Sequence, residues 1–292
     1  ISFITRKSKN LQRKEKYKMP ELPEVETIKN VIEPQIQGLT IENIIVNRDV
    51  IAHPTASKFC EQLTGQIFSS MGRRGKFLIF TMDSGDYIVL HLRMTGCLLL
   101  APPDLPPEKH THIVFALNNG MELRFSDTRR FGRFWLIKNG EPDIYSGIDN
   151  LGIEPFSDKL NAEYLSMHFE KRKKTIKECL LEQSVIAGIG NIYSDEILFT
   201  AEIYPAKSAS SLTTKEWERL ATIISERLSY FIEKNELTSE EYIETKGKEY
   251  RNTPFLQVYG HDGEPCLKCG ETLCRIVIGG RSSVYCPKCQ KE

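Results

Sequence analysis

The sequence predicts an α+β protein with three parts: an N-terminal antiparallel β-sandwich with one helix, a helical half, and a small cysteine-containing hairpin. Three observations predict this division. Residues 40–140 alternate short apolar runs with turn residues, residues 159–235 show helical periodicity, and two CxxC pairs bracket residues 266–289. A chain of 292 residues is long enough for two domains with their own cores.

The β-sandwich is predicted over residues 20–150. A helix is expected over about 21–36, because Pro23 and the nearby acidic residues favour a helix start. Turn residues at 83–85 and 118–120 predict two hairpins. Closely spaced strands of this kind are typical of a sandwich. Six apolar runs are the predicted strands: IENIIVNR, KFLIFTM, YIVLHLRM, HIVFALN, MELRFS and RFWLIKN.

The pattern changes near residues 146–153, and a helical domain is predicted over 155–235. Residues 237–255 are rich in Glu, Lys and Thr and are predicted to be a mobile surface loop. Residues 256–290 form a separate small module. Within the helical domain the periodic segments are 159–170, 172–185, 190–202 and 213–235.

The C-terminal module carries Cys266-x2-Cys269 and Cys286-x2-Cys289 with sixteen residues between the pairs. This spacing predicts one structural Zn²⁺, because four thiolates leave no open position for catalysis. Two adventitious dithiols are the alternative. The intervening RIVIGGRSSVY predicts a β-hairpin, and Cys274 lies outside the pattern. The isolated cysteines are predicted to be small buried hydrophobes: Cys60, Cys97 and Cys179.

The formal net charge is zero, but the first eighteen residues hold seven Lys/Arg and one Glu, which leaves −6 for the remainder. Basic residues are concentrated in three runs, at 73–76, 129–133 and 171–177. Such runs either bind nucleic acid or form solvated faces. No apolar run approaches the ~20 residues of a membrane span, and no secretory leader is apparent. A reducing cytoplasmic location is expected.

The stretch MPELPEVET at 19–27 is the most informative. If Met19 is the start and is removed, Pro20 carries a free secondary amine, a group that titrates near ~8. Such an amine can attack an electrophilic carbon to form an iminium, with Glu21 shuttling protons. The alternative is that the stretch only opens a helix. A peptide bond would make the Pro20 nitrogen an inert amide, so residues 1–18 are predicted to be non-native or processed.

MPELPEVET resembles the N-terminus of formamidopyrimidine-DNA glycosylases, base-excision enzymes that remove oxidised purines. The resemblance covers nearly all of 19–290. GIGNIY at 188–193 resembles the helix-two-turns-helix element of that family, and the cysteine module resembles its zinc finger. The resemblance implies that the chain is a monomer that acts on damaged double-stranded DNA, is associated with the nucleoid and makes no membrane contact.

The resemblance also assigns roles to individual residues. Pro20 matches the nucleophile and Glu21 a proton donor, while Lys76 and Arg281 match catalytic residues that contact phosphates. Met94 and Phe131 would be assigned to the core if considered alone. The resemblance instead implies that they and Arg129 fill the gap left by an everted nucleotide. The residues implied to bind DNA are His91, Met94, His110, Arg129, Phe131, Arg172, Lys177 and Asn191.

The expected activity is therefore eversion of 8-oxoguanine or a formamidopyrimidine, cleavage of the glycosidic bond through a proline Schiff base, and strand nicking by β,δ-elimination. The mobile 237–255 loop is expected to read part of the everted base. Two alternatives stay open. An endonuclease VIII-like enzyme also presents Pro-Glu and a zinc finger but removes oxidised pyrimidines. A non-catalytic damaged-DNA-binding protein would result if residues 1–18 were retained. The full PELPEVET string and the Met/Arg/Phe trio favour the purine enzyme.

Overall fold

The computed structural model describes residues 20–292, and the predicted extension 1–18 lies outside the described residues. The predicted α+β class and the order of its parts are confirmed. The helices are α1 (Leu22–Ile36), α2 (Ala56–Leu63), α3 (Ala162–Phe169), α4 (Ile176–Leu180), α5 (Asn191–Thr200), α6 (Thr214–Glu233) and α7 (Ser239–Glu244). The strands are β1 (Ile41–Val46), β2 (Ala52–His53), β3 (Phe68–Arg74), β4 (Phe77–Met82), β5 (Tyr87–His91), β6 (Gly96–Ala101), β7 (Thr111–Leu117), β8 (Glu122–Asp127), β9 (Arg133–Ile137), β10 (Cys274–Ile278) and β11 (Arg281–Tyr285).

Two sheets form the sandwich, with strand orders β1-β7-β8-β6 and β2-β9-β5-β4-β3. Every pair is antiparallel except β2 with β9. Aromatic rings from both sheets meet in the core, as where Phe125 packs edge-on against Phe134 at 5.0 Å between ring centroids. The hairpins predicted at 83–85 and 118–120 join β4 to β5 and β7 to β8.

Three strands of the sandwich were not predicted from the sequence, namely β2, β3 and β6. Strand β3 has the sequence FSSMGRR, which is too polar to resemble a strand. The predicted strand YIVLHLRM ends at His91, because Arg93 adopts a left-handed conformation with φ of 58°. The chain turns there and continues directly into β6, so one apolar stretch supplies two strands.

The helical part packs α3 to α6 around its own core, which includes Trp217 and Phe231. Helix α5 lies at its centre and is buried on almost every side. The helix predicted over 172–185 is shorter than expected, because Thr175 accepts a hydrogen bond from the Glu178 N–H and caps α4 at residue 176. No helix between residues 20 and 292 is both long and apolar enough to cross a membrane.

The segment 237–255 differs from the predicted loop. Residues Ser239–Glu244 form α7, which begins with a capping box between Thr238 and Glu241. Tyr242 in this helix is only 1 % exposed and packs with the sandwich core. The prediction of a loop is therefore wrong for these six residues, since their apolar side is anchored on the sandwich.

Candidate active site

Glu21 lies where the sandwich meets the helical domain. It precedes α1 of the N-terminal part, and its carboxylate is hydrogen-bonded to the helical domain. Its Oε1 accepts a hydrogen bond from the N–H of Ile192 at 2.9 Å, and its Oε2 accepts one from Tyr193 at 3.3 Å. Because α5 begins at Asn191, these are first-turn N–H groups without partners inside the helix. The positive end of α5 therefore holds the carboxylate in place.

The glycines of the GIG motif allow this close approach. A Cβ on Gly190 would lie 2.2 Å from the Glu21 carboxyl carbon. Gly188 has φ of +93°, and a Cβ there would lie 2.4 Å from Leu22 Cδ1. The Leu22 N–H also donates to the Gly188 carbonyl at 3.3 Å. The GIG motif therefore contacts and positions the first described residues of the chain.

A second buried carboxylate, Glu24, supports Glu21. It accepts hydrogen bonds from the Glu21 N–H at 2.9 Å, the Tyr193 hydroxyl at 2.5 Å and the Asn252 amide at 2.5 Å. Sequence reasoning missed Glu24, Tyr193 and Asn252 as site residues. The three-residue spacing between Glu21 and Glu24, typical of a capping box, was the available signal for the first of them.

Charges converge on this site. Burial raises the pKa of Glu21, and the nearby Lys76 ammonium opposes the rise. Burial lowers the pKa of Lys76, with Glu21 and Glu24 opposing and Arg281 reinforcing the shift. Arg281 lies at the exposed tip of the β10–β11 hairpin, directly after two glycines in left-handed conformations. The structure therefore brings Pro20, Glu21, Lys76 and Arg281 to one place, with Pro20 itself buried.

The GRRGK turn presents fewer free cations than its sequence suggests. Arg73 is paired with Glu26 at 2.5 Å and with Glu154 at 2.8 Å, while Arg74 is paired with Glu154 at 2.9 Å. Glu154 also accepts the Gly75 N–H at 2.7 Å. Both arginines are engaged inside the protein, and the turn they hold directly precedes Lys76. Glu154, in the linker between the domains, was not identified from the sequence.

Met94, Arg129 and Phe131 form a cluster at the surface. The Arg129 Nη1 lies 2.6 Å from the Met94 sulfur, and its guanidinium stands 5.0 Å from the Phe131 ring centroid. Phe131 is 50 % exposed, so it is not a core residue. The Asp127 carboxylate accepts the Arg129 N–H at 3.1 Å and the Thr95 hydroxyl, which ties the two loops of this wedge cluster together.

The two predicted histidine contacts differ in placement. His91 is 9 % exposed, accepts a hydrogen bond from the Arg93 N–H at 2.9 Å, and packs edge-on against Phe77. Burial lowers the pKa of His91 to about 3, so its ring is neutral near pH 7. In this structure it supports the turn before Met94, and its contact with DNA stays a prediction. His110 is half-buried beside His112.

Lys177 is engaged inside the protein. Its implied contact with the DNA backbone stays a prediction, and in this structure its side chain is fully buried. Its Nζ donates to Asp195 Oδ1 at 2.6 Å and to the Ser282 carbonyl at 3.1 Å, because the first turn of α4 faces β11. Asn191 Nδ2 donates to the same carbonyl at 3.1 Å. These side chains fasten the hairpin to the helical domain.

Asp195 completes that attachment. It accepts the Ser283 hydroxyl at 2.6 Å and the Val284 N–H at 3.0 Å. The next residue, Glu196, accepts the N–H groups of residues 257–259 in the connection to the finger. Two adjacent acids in an otherwise uncharged helix were the signal available in the sequence. Arg172 is half-exposed and paired with Glu182 at the edge of this region.

The four cysteines fit one zinc ion. Their sulfur atoms all lie within 4.8 Å of one another, and the hydrogen-bonded pairs are separated by 3.5–3.9 Å. A tetrahedral Zn²⁺ with bonds of about 2.3 Å requires sulfurs about 3.8 Å apart. The predicted structural zinc is confirmed by this arrangement, and Cys274 lies outside it on β10. The ligands are Cys266, Cys269, Cys286 and Cys289.

Comparison with known proteins agrees with the three parts. The chain matches the formamidopyrimidine-DNA glycosylase N-terminal domain at residues 19–134, the H2TH domain of the same enzymes at 151–242, and the zinc finger found in FPG and IleRS at 263–291. The formamidopyrimidine-DNA glycosylase of Pelotomaculum thermopropionicum is 41% identical over 94% of this chain and 99% of its own length. That of Desulforamulus reducens is 42% identical over the same shares.

Solved structures give the same result. The Lactococcus lactis enzyme in complex with DNA containing an oxidised pyrimidine has a TM-score of 0.86 and 34% identity, covering 94% of this chain and 100% of that one. Its complex with DNA containing an abasic site has a TM-score of 0.86 and 33% identity at the same coverage. The chain belongs to the formamidopyrimidine-DNA glycosylase family.

Proposed function

We propose that this protein is a bifunctional DNA glycosylase and abasic-site lyase that removes oxidised purines, 8-oxoguanine and formamidopyrimidines, from duplex DNA. The observation that carries the proposal is the convergence of Pro20, Glu21, Lys76 and Arg281 at the junction of the two domains. Family membership supports the general class of activity. The contacts around Glu21 support the assignment of individual roles.

In the first step, the Pro20 nitrogen attacks C1′ of the damaged nucleotide, and the bond from C1′ to the base breaks. This requires an active polypeptide that begins at Pro20, because an acylated nitrogen is not a nucleophile. Glu21 supplies the proton that the departing base needs. Its raised pKa favours the protonated acid, and the α5 N–H groups hold the carboxylate once the proton has left.

In the second step, the proton that Pro20 loses on attack returns to Glu21 and passes to O4′ as the C1′–O4′ bond breaks. The ring-opened sugar is then held to Pro20 as an iminium. The iminium acidifies the neighbouring C2′–H, so loss of that proton expels the 3′ phosphate, and a second elimination expels the 5′ phosphate. Lys76 and Arg281 stabilise the phosphate charges that develop on departure. Water then hydrolyses the iminium and frees the Pro20 amine, so the cycle needs no redox cofactor.

Damaged duplex DNA is the proposed partner, lying across the junction so that Arg281 and Asn191 contact its backbone. The wedge cluster of Met94, Arg129 and Phe131 would occupy the gap left by the everted nucleotide, since an apolar side chain and a guanidinium both stack on exposed bases. His110 and Arg172 extend the contact surface. We further propose a monomeric, cytoplasmic enzyme associated with the nucleoid.

Borohydride trapping tests the mechanism, because it reduces the iminium to a stable protein–DNA adduct. A polypeptide that begins at Pro20 is compared with one that retains residues 1–18. Only the first should be trapped on an 8-oxoguanine duplex, and its Pro20→Gly variant should trap far less. Equal trapping by the longer polypeptide would refute Pro20 as the nucleophile.

The two alternative functions give different outcomes in the same assays. An oxidised-pyrimidine glycosylase would cleave thymine glycol duplexes faster than 8-oxoguanine duplexes. A non-catalytic binding protein would bind both duplexes without cleavage or trapping, whatever its N-terminus. Faster cleavage of 8-oxoguanine opposite cytosine is the result expected here.

A further inference from the structure

Two side chains fasten the segment 237–255 to strand β6. The Tyr242 hydroxyl donates to the Leu98 carbonyl at 2.8 Å. The Cys97 thiol donates to the Lys246 carbonyl at 3.1 Å, and the Gly247 carbonyl lies 3.5 Å away. Burial raises the pKa of Cys97 to about 12, so the thiol keeps its proton and remains a donor. Both contacts are buried on the sandwich side of the segment.

The turn held by Cys97 is strained and closely fitted. Lys246 and Gly247 are consecutive residues with φ of 52° and 64°. The left-handed conformation is unfavourable for a residue with a side chain such as Lys246. A Cβ on Gly247 would lie 2.7 Å from the Tyr242 ring and 2.8 Å from the Cys97 sulfur. A strained turn of this kind persists only where its surroundings fix it. Here Cys97 and Tyr242 supply the buried contacts, and Glu108 pairs with Lys246 and Lys248 at the surface.

The same strand begins at the wedge cluster. Gly96, the first residue of β6, follows Met94 and Thr95 and pairs with Asp127 across the sheet. The Thr95 hydroxyl donates to the Asp127 carboxylate, which also holds the Gly132 N–H at 2.8 Å. Cys97 comes next in the chain. A continuous series of bonded residues therefore connects the wedge cluster to the 237–255 segment.

We propose that Cys97 and Tyr242 are positioning residues for lesion selectivity, because they fix the 237–255 segment to β6. One strand then holds both the segment expected to read the everted base and the wedge cluster proposed to replace that base. The inference rests on the proposed function. It extends that function by naming residues, remote from the reacting atoms, on which discrimination between damaged bases depends.

Two substrates separate this role from a purely structural one. An 8-oxoguanine duplex presents a base to the segment, whereas an abasic duplex presents none. For Tyr242→Phe and Cys97→Ala, we expect base excision to fall about five-fold or more, as loss of one buried hydrogen bond allows. Cleavage and binding of the abasic duplex should stay within about two-fold of wild type. Cys97→Ser keeps a donor and should restore much of the loss.

Cys60→Ala is the matched control, because Cys60 also directs its thiol at a carbonyl, that of Ile44, elsewhere on the sandwich. It should leave both substrates unaffected. Equal losses on the two duplexes would show a general structural effect and overturn the proposal, as would unchanged excision in both Tyr242→Phe and Cys97→Ala.

Hydrogen exchange tests the attachment without any catalytic step. Amides 243–250 should exchange faster in Tyr242→Phe and Cys97→Ala than in wild type or Cys60→Ala. Unchanged exchange there would refute the attachment even if the enzyme is active. Failure of the wild type to cleave an abasic duplex would instead refute the proposed function, so the two failures are distinguishable.

Discussion

Replacing Lys177 by Met tests whether this lysine stabilises the fold or contacts DNA. Methionine keeps most of the apolar volume but leaves the buried Asp195 carboxylate without its cation, 2.6 Å away in the wild type. Removing one partner of a buried ion pair costs about 3–5 kcal/mol. Each kcal/mol lowers the melting temperature of a domain this size by about 2–4 °C. We therefore expect the melting temperature to fall by roughly 6–20 °C.

Thermal unfolding followed by circular dichroism measures this directly. Lys173→Met is the control, because it removes the same charge from an exposed neighbour and should change the melting temperature little. Lys177→Met combined with Asp195→Asn should recover more than half of the loss, since asparagine removes the unpaired charge. An unchanged melting temperature together with a salt dependence of DNA binding reduced by about 0.9 would show that Lys177 contacts a phosphate and refute the reasoning.

Three further perturbations have defined outcomes. Burial raises the pKa of Glu21, so the folded protein holds this proton more tightly than the unfolded chain, and the free energy of unfolding falls as pH rises from the ordinary glutamate pKa through the raised pKa. Glu21→Gln should flatten this dependence of the melting temperature on pH between about pH 4 and pH 8. An unaltered pH dependence would contradict the argument. Glu154→Gln releases Arg73 and Arg74 and should slow borohydride trapping on abasic DNA by about three- to ten-fold. The control Glu163→Gln changes an exposed glutamate and should not slow it. Equal trapping rates for the two variants would rule out a role for the Glu154 carboxylate. A zinc chelator should abolish DNA binding reversibly, while the sandwich keeps its β-sheet circular dichroism signal. DNA binding that survives complete removal of zinc would refute the need for the folded zinc finger.

Local sequence patterns predicted most of the fold because they depend on near neighbours. The 118–120 turn and the CxxC pairs each place residues within a few positions of one another, so spacing alone determines their geometry. Strand β6 was missed for the opposite reason. Its start depends on the left-handed Arg93, and no feature of the residue itself indicates that conformation.

Residue type alone marked Pro20 and Glu21 as candidates, because a proline amine and a neighbouring carboxylate carry the proposed chemistry themselves. The candidate site was not predictable where long-range contacts decide a role. Lys177 belongs to a basic run, yet its partner Asp195 lies eighteen residues further on, and only the packing of α4 on β11 buries both. The partners of Glu154 are 79 to 81 residues away, so no local pattern marks it.

The attachment of Glu21 to α5 has a consequence during synthesis on the ribosome. The residues that hold this acid, Ile192 and Tyr193, are 171 and 172 positions further along the chain. A nascent polypeptide could complete the entire sandwich and still lack the groups that orient its proton donor. Under the proposed mechanism, strand-cutting chemistry is thus withheld from a half-made protein.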